Sequence, residues 1–243
     1  NTLFTSIKST NTDRIKDFGY ETTDLGFSVG TKFEQYENLF FSPEIDLSIE
    51  DLKTTSKAST NLKKQAGNYE DLYFNYGLDY DMRNSPYKAS SGYKTSFYQK
   101  LPLVSGNNEI SNTLVLTKYK KLDNESDMVG KLSLYLSAVN SLDDSDVRIS
   151  KRAKMPYNRL RGFEKDKVGP KDGSDYIGGN YVTTLNLSTN LPGLLSTMEN
   201  LDFSYFIDIG NVWGVDYDSA VDQSNYIRSS TGIGMDWITP IGP

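Results

Sequence analysis

Cysteine and histidine are both missing from this chain of 243 residues. The first absence excludes a disulfide framework, a thiolate metal site and a cysteine nucleophile. The second removes the commonest zinc ligand and the usual general base near neutral pH, so acid–base chemistry would fall to carboxylates, lysine or tyrosine. Most hydrolase constellations go with them. Positive charge is in deficit too: 26 Lys and Arg stand against 32 Asp and Glu, a net charge of −6 that argues against a nucleic-acid partner. No apolar run approaches the ~20 residues a membrane-spanning helix needs. The opening NTLFTSIKST shows no charged head followed by an apolar stretch, so no signal peptide is visible. Tryptophan is scarce, 2 against 17 tyrosines. That tyrosine weight suits strands that meet a polar–apolar boundary. A membrane stays open, because a spanning strand needs only ~10 alternating residues.

What the sequence does have is period-two alternation. In LYFNYGLDYDMR, Leu72, Phe74, Tyr76, Leu78, Tyr80 and Met82 oppose Asn75, Gly77, Asp79 and Asp81. In KLSLYLSA, Leu132, Leu134 and Leu136 oppose Lys131, Ser133 and Ser137. In LDFSYFIDIG, Leu201, Phe203, Tyr205, Ile207 and Ile209 oppose Asp202, Ser204, Asp208 and Gly210. A helix would scatter these apolar residues round its axis, whereas a strand gathers them on one side. Such runs fall near 2–8, 22–33, 39–52, 70–83, 92–101, 109–121, 128–139, 180–191, 201–213 and 225–238. Long polar connections are expected at 8–21, 53–69, 140–179 and 214–224, shorter ones at 34–38 and 84–91. The polar faces are rich in Gly, Ser, Thr, Asn and Asp and poor in Lys and Glu. The solvated face of a soluble sandwich would carry more of the long charged side chains, and its strands are usually only ~5–6 residues. The pattern favours a transmembrane barrel whose apolar face meets lipid and whose polar face meets a wet lumen.

One polar segment stands out: YNRLRGFEKDKVGP, residues 157–170. RLRGFEKDKVGP, then YIGGN, FIDIGNVW and IRSSTGIGMDWITPIGP, resemble in order the C-terminal barrel of the BamA/Omp85 family of outer-membrane assembly proteins. FNYGLDYDMRNSPYKASSGY at 74–93 is similar to the family's middle strands. Two hallmarks carry the resemblance. The [VIL]-R-G-[FY] loop that folds back into the barrel is matched by Leu160, Arg161, Gly162 and Phe163; the F-x-D-x-G strand is matched by Phe206, Asp208 and Gly210. Gly169, Pro170, Gly178, Gly179 and Asn180 form a supporting turn and strand motif.

The resemblance implies an all-β fold, an antiparallel transmembrane β-barrel of the Omp85 type, with about ten of roughly sixteen strands present. Residues 1–243 would be a partial barrel, with POTRA domains, the first strands and the last two strands outside it. The site of client insertion, at the family's first and last strands, would then lie outside too. Segment 140–179 would be a long lumen-inserted loop carrying the RGF motif. The implied function is a non-enzymatic, cofactor-free factor that folds and inserts β-barrel proteins into the outer membrane of a Gram-negative bacterium. Its partners would be unfolded outer-membrane clients, accessory lipoproteins and the lipid bilayer. A related polypeptide translocation pore shares both hallmarks and is the first alternative; a passive porin, which would lack them, is the second.

Alternation puts Asp208 on the polar face of its strand, and Arg161 is a natural partner because a planar guanidinium engages a carboxylate bidentately. Gly162 allows a tight backbone path, and Phe163 is expected to bury its ring against the wall or the strand glycines. The chain departs from the family at two places. No glycine pair precedes the motif, where the sequence reads KRAKMPYN at 151–158. Ser188 stands where a second lumenal carboxylate, a glutamate, is expected, with Asp236 and Glu164 as open candidates to replace it. Gly178-Gly179-Asn180 reads as a turn entering a strand. The clusters Asp143, Asp144, Asp146 and Asp216, Asp218, Asp222 match no calcium loop and read as solvated loop acids. Pro192, Pro240 and Pro243 sit where strands end.

Overall fold

The computed structural model describes residues 2–123, 125–143, 145–192, 201–222 and 226–237; Asp144, Pro240 and Pro243 lie outside them. Ten long strands form one antiparallel sheet in which each pairs with its neighbours in the chain. They are β1 (Thr2–Arg14), β2 (Tyr20–Tyr36), β3 (Leu39–Thr54), β4 (Gly67–Asp81), β5 (Gly92–Val104), β6 (Glu109–Lys121) and β7 (Val129–Ser141), followed by β10 (Tyr181–Asn190), β11 (Leu201–Trp213) and β12 (Arg228–Trp237). Two short strands, β8 (Lys171–Asp172) and β9 (Asp175–Tyr176), make a separate small hairpin inside the β7–β10 connection. β1 and β12 are the outer edges, and no ladder joins them among the described residues.

The alternation decides which way the sheet faces. Its apolar side is uncovered: Leu25 is 53% exposed, Phe27 47% and Leu47 43%. Its polar side is the covered one, with Thr22, Glu50, Asp71, Ser133, Thr184 and Asp208 all buried. A soluble sandwich buries the opposite set. This sheet is inside-out by that standard, as a lipid-facing barrel wall must be.

The connections sort by end. Among the described residues, 15–19, 55–66, 105–108, 142–143, 145–180, 214–222 and 226–227 lie at one end, and 37–38, 82–91, 122–123, 125–128 and 191–192 at the other. What covers the polar face is the 142–180 segment. It reaches β1 through Asp166, whose carboxylate accepts from Arg14 Nη1 at 2.6 Å, and β11 through Arg161. In a flat sheet those strands would be about 40 Å apart at ~4.8 Å per step. The sheet is therefore curled around the segment. Two apolar clusters pin it: Ile149 and Ile177 join Phe18, Tyr20, Leu52 and Leu62, while Met155, Leu160 and Val168 pack on Val182 and Val212.

The stretch expected as a loop at 8–21 is mostly strand. β1 continues to Arg14, paired through Thr10↔Asp24 and Arg14↔Tyr20. Ser9-Thr10-Asn11-Thr12 is polar on both faces, so alternation fades although the ladder persists. The connection at 53–69 holds a short helix, α1 (Thr60–Lys64), where Ser59 Oγ accepts from Leu62 N at 3.2 Å. That cap aims Leu62 into the first apolar cluster.

If the uncovered face meets lipid, Leu47→Arg should cost about 2–4 kcal/mol of folding stability in vesicles, because a mid-strand cation is placed in hydrocarbon. Urea titration of folding into large unilamellar vesicles reads it. An unchanged midpoint would contradict a lipid-facing surface.

Candidate functional site

The RGF turn lies where the segment's second apolar cluster touches β11. Arg161 grips Asp208 with both branches of its guanidinium: Nε donates to Oδ2 at 2.7 Å and Nη2 donates to Oδ1 at 2.8 Å. The Arg161 backbone N–H adds a third bond to Oδ2 at 3.1 Å. Asp208 is fully buried, so these donors replace the water it has lost. A fourth donor comes from the wall, Asn186 Nδ2, at 2.8 Å from Oδ1. The same Nδ2 donates to the Arg159 carbonyl at 2.6 Å, tying strand and loop together.

The guanidinium also stacks. Its Cζ lies 3.5 Å from the centre of the Phe206 ring, two residues along the same face of β11. The ring also lies over Gly232 of β12, its partner across the ladder, where a Cβ would come within 2.9 Å of Phe206 Cζ. The glycine gives the ring its place, and the ring supports the arginine. Gly162 is needed for conformation and not for space: its φ is +85°, and nothing lies within 4 Å of where a Cβ would be. Gly210 is needed for space, since a Cβ there would sit 3.0 Å from Met155 Cε of the segment.

Several expectations change. Phe163 does not bury its ring; it is 39% exposed, because Phe206 already occupies the space against the wall glycine. Ser188 is not beside Asp208. It pairs across with Phe206, whereas Asn186 stands directly opposite Asp208. Neither Asp236 nor Glu164 serves Arg161: Asp236 is opposite Asp202, and Glu164 pairs with Lys167 at 2.7 Å. An amide holds the second lumenal position.

The glycine motifs behind the arginine organise the rest of the segment. Gly169 has φ +114° and passes so close to β11 that a Cβ would meet Val212 Cβ at 2.8 Å. The Pro170 carbonyl accepts from Ile177 N at 3.1 Å, closing the β8–β9 hairpin. Gly178-Gly179-Asn180 does more than turn into β10. Gly179 and Ala153 exchange backbone bonds at 2.8 and 2.9 Å, and Asn180 N donates to the Gly214 carbonyl at 2.8 Å. Gly179 is pressed against the Trp213 backbone, where no side chain fits.

Two further arginines of the segment were not marked by any motif. Arg148 is completely buried, with Nη2 2.6 Å from Asp71 and 3.6 Å from Glu109, and Nη1 3.7 Å from Glu50. Its guanidinium covers the Tyr69 ring at 3.9 Å. It thus meets acids from β3, β4 and β6. Arg152 donates to Asn180 Oδ1 at 2.9 Å and to Asp216, which also accepts from Val147 N at 2.7 Å. Asp216 is accordingly not a solvated loop acid. Although burial pushes its carboxyl up, the Arg152 charge and these bonds hold it below the usual range. Asp218 and Asp222 accept backbone N–H groups of Ala220 and Gly214, each at 2.8 Å. Among the described residues no group of acids is placed to hold a metal ion.

This arrangement, three loop arginines each ending on an acid of the curled wall or its rim, meets its relatives at the level of the whole chain. The model described as the Omp85 superfamily domain matches residues 2–243. The chain belongs to the Omp85 superfamily. It is 30% identical over 119 residues to the outer membrane protein assembly factor BamA of Neorickettsia risticii, covering 48% of this chain and 16% of that one. A SAM50-like protein of Schizosaccharomyces pombe is 28% identical over 115 residues, 45% of this chain and 24% of that one. The sheet superposes on the crystal structure of BamA from Haemophilus ducreyi lacking POTRA domains 1–3 with a TM-score of 0.85. The match has 21% identity, over 99% of this chain and 53% of that one. The chain thus spans under a quarter of the length of these curated relatives and about half of the solved barrel protein.

Within this Omp85 domain the segment also carries a lysine that its surroundings unsettle. Lys154 Nζ donates to Tyr20 OH at 2.6 Å, between the rings of Phe18 and Tyr20. Burial, and then the nearby Arg14 charge, push it down to about 8, against some help from Asp166. A released segment would hold this proton more tightly than the docked one. Docking should therefore strengthen as pH rises from about 8 towards 10.5. Limited proteolysis of segment 142–180, taken as the ratio of wild type to Lys154→Met at each pH, checks it. Wild type should gain protection relative to the variant across that window; a flat ratio would contradict the assignment.

Proposed function

We propose that this chain forms part of the barrel of an assembly factor that folds and inserts β-barrel proteins into the outer membrane of a Gram-negative bacterium. Its clients are unfolded outer-membrane proteins, helped by accessory lipoproteins, and the surrounding bilayer is its working medium. The factor is not an enzyme and takes no cofactor: inserted strands gain by satisfying their backbone groups in a closed barrel, so templated pairing and a perturbed bilayer suffice. Superfamily membership and a relative whose name is outer membrane protein assembly factor support this reading.

The observation that carries the residue-level part is the bidentate Arg161–Asp208 pair with its backbone bond. Residues 140–179 form the lumen-inserted loop of a partial barrel, and Leu160, Arg161, Gly162 and Phe163 are its anchor. Phe206, Asp208 and Gly210 are the wall partners, and Gly169, Pro170, Gly178, Gly179 and Asn180 shape the loop's return. The anchor keeps the curled wall in register with the polar segment that fills it.

The test is charge exchange in the full-length protein. Removing the arginine leaves a buried carboxylate without its cation, a loss of about 3–5 kcal/mol. Arg161→Asp should impair folding of client barrels in reconstituted proteoliposomes, and adding Asp208→Arg should recover part of it. Unchanged client folding and unchanged protease resistance of the loop in Arg161→Ala would overturn the anchor.

A further inference from the structure

Among the described strand residues, the outer face is uncharged at the end of the sheet away from the long connections, except at one place. Lys118 and Lys120 of β6 point outward with Leu116, and both are exposed. Among the described strand residues they are the only charged side chains on the outer face at that end. No carboxylate lies within ion-pairing distance of either among the described residues, whereas the neighbouring Lys121 pairs with Asp127 at 2.7 Å.

The register shows what surrounds them. Lys120 lies opposite Gly130, which lies opposite Thr189, which lies opposite Tyr205; one row up stand Lys118, Leu132, Leu187 and Ile207. Gly130 and Thr189 are small, so the first row is a trough across β7 and β10. The Leu122 side chain lies over Gly130, its Cδ2 3.0 Å from where a Cβ would be, so the glycine lets Leu122 fold in as one wall of the groove. This groove measures about 360 Å³. A second groove of about 310 Å³, flanked by Tyr93, Leu134 and Leu185, adjoins it and shares Lys118 and Leu132. Tyr93 pairs across with Lys118, and an outward tyrosine is the residue type that marks the interfacial level of a barrel.

We propose that Lys118 and Lys120 bind the phosphate of an anionic phospholipid whose two acyl chains lie in the two adjoining grooves. The inference rests on the reading that the apolar face meets the bilayer. Unpaired cations are costly on a lipid face unless they reach the headgroup level, and there each adds attraction to an anionic lipid. One charged head between two apolar grooves is the shape of a two-chain lipid. A second protein would be expected to bring acids and its own apolar face, but the grooves are small, about 360 and 310 Å³, and the two cations sit together at one edge.

The experiment is native mass spectrometry of the full-length protein released from bicelles of equimolar dioleoyl-phosphatidylglycerol and dioleoyl-phosphatidylcholine. Wild type should retain one phosphatidylglycerol in preference to phosphatidylcholine by about tenfold. Lys118→Gln/Lys120→Gln should bring the ratio near one. Gly130→Leu should also lower retention with both lysines in place, because it drives the Leu122 side chain out into the groove. Lys57→Gln/Lys165→Gln, the same charge change at the opposite end, should leave the preference intact, and millimolar inorganic phosphate should not displace the lipid. Heat-modifiable migration of each variant confirms that its barrel is folded. Equal retention in wild type and Lys118→Gln/Lys120→Gln, or equal loss in both lysine pairs, would overturn the site. Loss of client folding with lipid retention intact would instead count against the assembly reading alone.

Discussion

A carboxylate sealed from water has to be answered by the protein, and at Asp208 the answer comes largely from another part of the chain. Three of its four described donors belong to one loop residue, Arg161, and the fourth to Asn186 on the next strand. Left alone in that position the charge would cost several kcal/mol. The burial of Asp208 therefore makes sense only with the segment docked, and docking in turn places Met155, Leu160 and Val168 on Val182 and Val212. Wall glycines complete the arrangement: Gly232 receives the Phe206 ring on which the guanidinium rests, and Gly210 receives Met155.

The need for such a lock follows from the direction of the sheet. A wall with its apolar side outward leaves a largely polar inner face, so beside the two apolar clusters its interior is organised by ions and hydrogen bonds. Arg148 against Glu50, Asp71 and Glu109, Arg152 against Asp216 and Asn180, and Arg161 against Asp208 distribute that task along one segment. Each contact reaches a different region, from β3, β4 and β6 across to β11 and its exit. Buried ion pairs add little over an apolar core, yet breaking one partner is expensive, so they favour a single arrangement over near neighbours. For a loop that must lie in one register inside a curled sheet, that selectivity matters more than net stability.

The strands were legible because alternation at period two survives wherever one face is apolar and uncovered and the other polar and covered: Leu72 to Tyr80 and Leu201 to Ile209 could be assigned on residue type alone. It failed at Ser9–Thr12, where both faces are polar and only the ladder to β2 defines the strand. Arg161 and Asp208 were nameable from motif and parity. Asn186 was not, because choosing it over Ser188 requires the β10–β11 register, which no sequence pattern fixes. The place expected for the Phe163 ring, against a strand glycine, is taken by Phe206 for a similar reason: it depends on which glycine lies across the ladder. Arg148 and Arg152 had no local signature at all. Their acids lie far away in sequence, Asp216 in the connection after β11 and Glu50, Asp71 and Glu109 on three strands that only the fold brings to one guanidinium.

The outer surface completes the physical picture, since the same alternation that buries Asp208 leaves Leu25, Phe27 and Leu47 uncovered on the outer face and sets Lys118 and Lys120 at one end of it. The lock itself is tested most directly by a double-mutant cycle. Arg161→Ala, Asp208→Ala and the double variant of the full-length protein are compared by urea unfolding in vesicles. A coupling of at least about 1.5 kcal/mol between the two positions is expected if the pair holds the segment. Additive losses, agreeing within about 0.5 kcal/mol, would show that the two residues act independently and that the segment is held by something else.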